Sequence, residues 1–187
     1  MNKKLNIVRT IEKNPGIKFR ELMREIDVKN GVLSFHVKKL EENGSIKVER
    51  TSGTTRFYPL GIENEETVLI KYLRQKISRK IIILLIRNKY LSYKNLVKMT
   101  QVPSSNLSKY LSRLRSDCIV NTKFEKRTLF YEIKKEDVVK RVISRYRHDL
   151  LSSDHRKVMT LLLPVFFSLS QRLISDNLFS GILDCVF

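Results

Sequence analysis

The stretch from Ile17 to Leu60 constrains the fold more than any other part of this 187-residue chain. Two groups of apolar residues recur in it at helical spacing: Phe19, Leu22 and Ile26, then Leu33, Val37 and Leu40. This spacing predicts two amphipathic helices, and Gly44 follows the second one where a helix C-cap is expected. Residues 46–58 alternate around a polar, glycine-containing turn, which is typical of a β-hairpin. The stretch therefore predicts a helix-turn-helix followed by a two-stranded wing, a fold that can lay its second helix in a major groove.

The second predicted helix and its cap carry the ordered pattern Ser34-x-His36-Val37-x-x-Leu40-x-x-x-Gly44-x-Ile46. This pattern resembles the recognition-helix signature of ArsR/MarR-type winged helix-turn-helix regulators, particularly the versions common in archaea. Residues 14–22 are similar to the loop and the preceding helix of the same family. The resemblance implies a DNA-binding fold, and it does not name the operator or any ligand.

The apolar pattern of the first part returns 74 residues later in the chain. The matched pairs are Ile7 with Ile81, Phe19 with Tyr93, Leu22 with Leu96, Val28 with Val102, Leu33 with Leu107, Ser34 with Ser108, and Leu40 with Leu114. After Val120, residues 121–133 predict a second hairpin with Glu125-Lys126-Arg127 at its tip. We interpret Phe130-Tyr131 as the counterpart of Phe57-Tyr58, which makes the second wing one residue shorter. The repeat therefore predicts a second, diverged winged helix.

Together these patterns predict a mainly α fold with small β-hairpin wings, which places the chain in the α+β class. The predicted organisation is winged helix domain 1 at residues 1–61, a connector helix at 62–76, winged helix domain 2 at 77–134, and C-terminal helices at 135–187. A chain of this length can hold two small domains, each with a modest core.

The charge of the chain is strongly positive, with a formal value of +18 and a sequence pI near 10.1. Such an excess favours a polyanionic partner, which composition alone leaves as DNA, RNA or an anionic membrane. The helix-turn-helix pattern favours double-stranded DNA among the three. Backbone phosphates would be met by basic side chains, and base edges by the exposed faces of the two recognition helices.

The candidate DNA contacts fall into three groups. Base edges are expected to meet Lys29, Asn30, Val32, Phe35 and His36 in domain 1, and Ser105, Asn106, Lys109 and Tyr110 in domain 2. The DNA backbone is expected to meet Lys18, Arg20, Ser34, Lys38, Lys39, Lys94, Ser108 and Arg113. The wings are expected to contribute Arg50, Arg56, Lys126 and Arg127. Winged helices also serve as protein-binding modules, so contact of domain 2 with the transcription machinery stays open beside DNA contact.

The C-terminal part contains an apolar run from Val158 to Leu169 that is interrupted by Pro164. Its length falls short of the roughly 20 residues that a bilayer core requires, so we do not expect integral membrane insertion. A homodimer formed through these C-terminal helices is the preferred interpretation. Packing within the second domain and attachment to a membrane surface are the alternatives.

Motifs for catalysis or cofactor binding are not found in the sequence. The glycines lie singly or in turns, the three histidines lack ligand spacing, and Cys118 and Cys185 have no CxxC pattern. We therefore expect no enzyme activity, no catalytic residues, no cofactor and no metal. The sequence thus predicts a sequence-specific DNA-binding regulator that is cytoplasmic and associated with the nucleoid. A core transcription or chromosome protein and a membrane-associated regulator are the alternatives.

Overall fold

The computed structural model describes residues 3–146. Its first six elements form a three-helix group closed by a small sheet. They are α1 (Lys3–Lys13), β1 (Ile17–Lys18), α2 (Phe19–Glu25), α3 (Asn30–Glu42), β2 (Ile46–Thr51) and β3 (Thr54–Pro59). The strand order is β1-β3-β2, and both strand pairs are antiparallel. A helix-turn-helix followed by a β-hairpin is therefore present at the predicted place.

The predicted apolar stripes make up the core of this first group. Its buried residues are Ile7, Ile11, Ile17, Leu22, Leu33, Val37, Leu40, Ile46 and Phe57. Each fully buried aliphatic side chain stabilises the fold by roughly 1.5–3 kcal/mol relative to exposure. Because α3 contributes one apolar face to this core, its opposite face is left at the surface.

The next six elements occur in the same order. They are α5 (Lys76–Asn88), β4 (Tyr90–Ser92), α6 (Tyr93–Thr100), α7 (Ser104–Ser116), β5 (Val120–Glu125) and β6 (Thr128–Ile133). Their strand order, β4-β6-β5, repeats that of the first sheet. Four of the matched pairs are buried in both groups: Ile7 with Ile81, Leu22 with Leu96, Leu33 with Leu107, and Leu40 with Leu114. The pairs Phe19 with Tyr93 and Val28 with Val102 are half-buried, and Ser34 and Ser108 are exposed. The α+β class is thus confirmed.

The two wings have the same length, contrary to the sequence prediction. In the first wing Ile46 lies opposite Pro59, and in the second Val120 lies opposite Ile133. Both partners are 74 positions apart, so the repeat continues without a gap to the end of the wing. Tyr131 is therefore the counterpart of Phe57. Matching Phe130-Tyr131 to Phe57-Tyr58 was wrong because a shift of one residue moves every side chain of a strand to the other face.

Helix α4 (Asn64–Leu73) joins the two groups and packs against both. On the side of the first group, Gly16 packs closely against Ile70 of α4, since a Cβ added to Gly16 would lie 3.0 Å from Cγ2 of Ile70. Gly16 also has a φ of +72°. The guanidinium Nε of Arg74 donates to the carbonyl of Pro15 at 2.7 Å. The predicted connector at residues 62–76 thus contains α4 and the first residue of α5, and it is part of the packed structure.

Helix α8 (Glu136–Arg145) lies against α4. Its buried face consists of Val139, Val142 and Ile143. Glu66 of α4 is only 4% exposed, and its two carboxylate oxygens lie 3.7 Å from Arg141 and 3.6 Å from Arg145. A buried carboxylate requires such paired charges, so the basic face of α8 is held on α4.

The remaining C-terminal predictions lie outside the described residues. They concern the helices beyond α8, the apolar run from Val158 to Leu169, and the homodimer formed through this region. Among residues 3–146, no helix is long and apolar enough to cross a membrane.

Candidate nucleic-acid interface

Helix α3 presents a polar face to solvent because Leu33, Val37 and Leu40 are buried on its other side. The exposed face carries most of the residues that the sequence assigned to DNA contact. These are Lys29, Asn30, Ser34, Phe35, Lys38 and Lys39, while Val32 and His36 are half-buried. The Ser34 hydroxyl donates to Oδ1 of Asn30 at 3.3 Å, one helical turn earlier. This contact orients the Asn30 carboxamide at the start of the helix.

An aromatic cluster lies in the middle of this face. Phe35 is 55% exposed, and the ammonium of Lys39 lies 4.4 Å from the centre of its ring. The ring of His36 meets Phe35 edge-on with centroids 5.4 Å apart, and within the described structure Nδ1 of His36 is buried without a hydrogen-bond partner. An exposed phenyl ring beside a cation is suited to a thymine methyl next to a phosphate.

The first wing is braced against α3 by Arg50. Its guanidinium donates two hydrogen bonds to the carboxylate of Glu41, at 2.6 and 2.5 Å. The hydrogen bond from Arg50 lowers the pKa of the Glu41 carboxyl. The structure thus gives Arg50, which the sequence assigned to DNA contact, a role in holding the wing at a set angle to the recognition helix.

Arg56 does not lie at the wing tip, so its assignment as a wing contact was wrong. It lies opposite Glu49 and Lys18 in the middle of the sheet, and it is only 9% exposed. Its Nη1 donates to the carbonyl of Gly16 at 2.8 Å. Arg56 is therefore part of the interior packing between the sheet and the loop after α1.

The second wing ends in a two-residue turn formed by Lys126 and Arg127. Both residues are exposed, and their φ angles are 46° and 60°. Two successive left-handed residues are typical of the tight turns whose twist matches a β-hairpin. The structure therefore places both cations at the tip, where the sequence predicted them.

Helix α7 resembles α3 in its division into two faces. Leu107, Leu111 and Leu114 are buried. The other candidates on this helix are at the surface: Ser105, Asn106, Ser108, Lys109 and Arg113 are exposed, and Tyr110 is half-buried. The phenol of Tyr93 donates to the carbonyl of Ser104 at 2.7 Å and lies 2.9 Å from the Ser108 hydroxyl. Ser108 is thus engaged with α6, and Tyr93 fixes the start of α7.

The backbone candidates outside the recognition helices are also at the surface. Lys18, Arg20 and Lys94 are exposed, at the starts of α2 and α6. These three side chains are therefore accessible to solvent, and their contact with phosphates stays a prediction. Arg56 is the candidate that the fold removes from this surface.

The second group of elements is the more positively charged of the two. Residues 77–134 contain thirteen basic and three acidic residues, whereas residues 3–61 contain thirteen basic and seven acidic residues. The difference comes from the smaller number of carboxylates in the second group. For example, Arg115 occupies the position that corresponds to Glu41 in the repeat. A polyanion is therefore attracted at least as strongly to the second group as to the first.

Two features that bear on function were missed by the sequence reasoning. The first is the link from α4 to α7, in which the Tyr72 phenol donates to the Asp117 carboxylate at 2.6 Å. The second is an exposed apolar pair on the second wing, Phe124 and Leu129. The strand alternation in residues 120–133 could have revealed the second feature, since it places both residues on one face.

Comparison with known proteins gives one family match. Residues 1–70 match the family HTH_HVO_0163_N, described as an N-terminal HTH domain. No curated protein matches the chain.

Several solved structures are similar to parts of the chain. HlyU from Vibrio cholerae is 28% identical over 46% of this chain and 96% of its own, with a TM-score of 0.40. The repressor BigR from Xylella fastidiosa is 24% identical over 45% and 85%, with a TM-score of 0.40. The homodimeric winged helix-turn-helix domain Mb0332 from Mycobacterium bovis is 18% identical over 52% and 96%, with a TM-score of 0.40.

The low TM-scores leave the assignment to the family match and to the geometry of the elements themselves. Residues 1–70 carry the matched domain, and within it α2, α3 and the β2–β3 hairpin form the helix-turn-helix and its wing. The N-terminal part of this chain is therefore a helix-turn-helix domain that carries a β-hairpin wing.

Proposed function

We propose that the protein binds double-stranded DNA in a sequence-specific manner and regulates transcription through α3 as its first recognition helix. The observation that carries this proposal is the exposed face of α3, where Asn30, Phe35 and Lys38 project from a helix anchored by buried leucines. A carboxamide suits the donor and acceptor of adenine, and a phenyl ring suits the methyl of thymine. The surrounding lysines are suited to phosphates, which set the position on the duplex without reading its sequence.

We propose in addition that residues 77–134 act as a second winged helix and also contact DNA. Support comes from the repeated order of the elements, the polar face of α7 and the scarcity of carboxylates in this segment. A surface evolved only for protein contact would not need thirteen basic residues against three acidic ones. Contact of the second domain with the transcription machinery is the alternative, and the spacing experiment below distinguishes the two.

The two recognition helices are joined through α4, which is bonded to both groups. Arg74, just after α4, donates to Pro15, and Tyr72 donates to Asp117 at the end of α7. We expect this linkage to keep α3 and α7 at a fixed separation. The preferred DNA should then contain two recognised segments whose spacing tolerates little change.

Selection from a random duplex library tests sequence specificity directly. The native protein should enrich a defined motif, and the selected duplex should bind more tightly than a scrambled one of the same composition. Titration with salt should give a slope of log affinity against log salt of roughly −5 to −9, if about six to ten phosphates are neutralised. Equal affinity for selected and scrambled DNA would leave a non-specific chromosome protein, and a slope shallower than about −2 would remove DNA as the partner.

Insertion of base pairs between the two halves of the selected motif tests the role of the second winged helix. One added base pair should weaken binding if both helices read DNA from a fixed separation. A matched protein with Lys109 and Arg113 replaced by alanine should lose this sensitivity to spacing. Unchanged affinity and unchanged spacing dependence in that variant would assign the second winged helix to protein contact.

We also propose that the protein acts as a homodimer, by binding and without catalysis. The dimer proposal rests on the apolar sequence from Val158 to Leu169 alone. Light scattering at micromolar concentration tests it, and a monomer would contradict it. A cytoplasmic, nucleoid-associated location accords with these proposals and can be checked by imaging the tagged protein.

A further inference from the structure

The second wing exposes two large apolar side chains near its tip. Phe124 is 71% exposed and Leu129 is 39% exposed, and they lie directly opposite each other in adjacent strands. They are on the same face of the hairpin as Thr122 and Tyr131, the pair two positions earlier in the register. Side chains on this face are buried near the base of the wing and exposed to solvent toward its tip. The pair therefore adds nothing to the core of the second group.

The first wing is built differently at the same two positions. Arg50 and Thr55 occupy the places of Phe124 and Leu129, and they also lie opposite each other. Arg50 is held by Glu41 of α3, whereas the residue in the place of Glu41 is Arg115. Repulsion from a second cation would disfavour an arginine at position 124, but it does not call for a phenylalanine. The exposed ring therefore needs a reason of its own.

The surroundings of the pair indicate what kind of partner it fits. Lys126 and Arg127 lie at the adjoining tip, and Arg115 is exposed at the end of α7. Glu125, the acidic residue within the wing tip, lies on the opposite face and is 3.6 Å from Lys123. The apolar pair thus lies next to the two cations of the turn, so a fitting partner combines negative charge with an apolar surface. The stacked bases of a duplex, between two phosphate backbones, meet this description.

We propose that the second wing enters the minor groove and inserts Phe124 between adjacent base pairs, which bends the DNA. Leu129 supports the ring from the neighbouring strand, while Lys126 and Arg127 meet the flanking phosphates. Apolar side chains inserted from the minor groove unstack a base step and bend the duplex toward the major groove. Flexible pyrimidine–purine steps then become preferred at the insertion point without any hydrogen bond to a base. This inference rests on the proposed DNA-binding function.

Bending and unstacking are measured with the full-length protein on its selected duplex. Energy transfer between dyes at the two duplex ends reports the bend, and 2-aminopurine placed at the insertion step reports unstacking. The native protein should shorten the end-to-end distance and increase the 2-aminopurine fluorescence. Phe124→Ser should abolish both signals, and Leu129→Thr, which introduces the residue of the first wing, should reduce them.

Lys126→Ala is the matched control at the same wing tip. It should keep the bend and the fluorescence signal, while the salt slope becomes shallower by about one. Phe124→Ser should keep the salt slope of the native protein. Its loss of affinity should largely disappear on a duplex that already carries a mismatch at the insertion step, because such DNA is unstacked at little cost.

The outcomes separate this inference from the function on which it rests. If the native protein binds no duplex, both are overturned. If it binds specifically without bending, or if Phe124→Ser bends DNA like the native protein, the insertion alone is overturned. A Phe124→Ser variant that changes the molecular mass in light scattering while bending DNA normally would assign the apolar pair to a protein contact, and would also overturn the insertion.

Discussion

The phenol of Tyr72 donates a hydrogen bond of 2.6 Å to Oδ2 of Asp117, and thereby connects α4 to the end of α7. The hydroxyl oxygen of Tyr72 also lies 3.3 Å from the carbonyl oxygen of Arg113. Tyr72 is buried, and burial raises the pKa of its phenol, so the hydroxyl remains a donor throughout the physiological range. This contact connects α4, which packs on the first group of elements, with the end of α7 in the second group.

Removal of this hydroxyl should destabilise the protein and loosen the link between the two groups. Tyr72→Phe keeps the ring packing but loses a hydrogen bond to a charged group, which should lower the free energy of unfolding by about 1–3 kcal/mol. Urea denaturation measures the change. Tyr90→Phe is the control, because Tyr90 is 53% exposed and should change stability by less than about 0.5 kcal/mol. Equal effects of the two substitutions would contradict a stabilising role of the Tyr72 hydrogen bond.

Stability should also fall at alkaline pH. Burial raises the pKa of both Tyr58 and Tyr72 above the ordinary value of 10.0. The unfolded chain loses these protons near pH 10 while the folded chain keeps them, so the free energy of unfolding decreases as the pH rises above that value. Unfolding experiments at about pH 9 and about pH 11 measure the decrease, and tyrosinate absorbance follows the ionisation. The variant with both residues changed to Phe should lose less stability between these pH values than the native protein.

The residues that follow α3 and α7 should respond in opposite ways to substitution. Gly44 follows α3 with φ 63°, and Cys118 follows α7 with φ 56°. A left-handed conformation destabilises the folded state by about 1–2 kcal/mol when the residue is not glycine. Glycine avoids this strain, but its greater conformational freedom in the unfolded chain offsets part of the gain.

Cys118→Gly should therefore stabilise the protein by roughly 0.5–1 kcal/mol, and Gly44→Ala should destabilise it by a similar amount. Apart from Gly44 and its two chain neighbours, no atom in the described part of the chain lies within 4 Å of a Cβ added at Gly44, so the backbone conformation accounts for the cost. Denaturant midpoints measure both changes. Cys118→Ser is the control for loss of the thiol, and stabilisation by serine equal to that by glycine would contradict the backbone explanation.

Arg56 and Lys126 should separate stability from DNA binding. Arg56→Ala removes a buried hydrogen bond to Gly16 and leaves a void beside the sheet, so the free energy of unfolding should fall by about 1–3 kcal/mol. Lys126→Ala, at the exposed tip, should leave stability within about 0.5 kcal/mol. Thermal denaturation and DNA titration are measured in parallel. An Arg56→Ala variant of native stability with weakened DNA binding would restore Arg56 as a wing contact.

Specificity and general affinity should be separable on α3. Asn30→Ala should reduce discrimination between selected and scrambled DNA by about 1–3 kcal/mol, if its carboxamide makes a good base contact. Lys38→Ala should weaken binding to both duplexes alike. Lys38 is better suited than Lys39 for this comparison, since Lys39 also lies over the ring of Phe35.

Lys13→Ala serves as the charge control for the comparison on α3. Lys13 is the last residue of α1, whereas the α2–α3 turn lies beside the first turn of that helix, near Lys3 and Asn6. This substitution should leave both affinities close to native. A uniform loss for Asn30→Ala and Lys38→Ala would mean that α3 does not read bases.

Local patterns were enough to locate the helices of this protein. The two predicted apolar groups of residues 19–40 fall on α2 with its C-cap Ile26 and on α3. Helical burial recurs every three to four residues, so a single stretch of sequence contains the whole signal. The sequence likewise determined which face of α3 is apolar, because residues that share a helix face are neighbours along the chain.

Strand pairing and long-range contacts were decided by the tertiary structure. The strand register shows that Tyr131 is the counterpart of Phe57 and that Phe124 lies near the wing tip. The tertiary structure also shows that Arg56 is buried and donates to the carbonyl of Gly16. A strand has a period of two, so a register different by one residue reverses which side chains are buried. Glu66 provides a further case, since the two arginines that pair with it, Arg141 and Arg145, lie on α8, which follows the second group in the chain. Such pairings join residues far apart in the chain, and only the packing of the whole fold selects them.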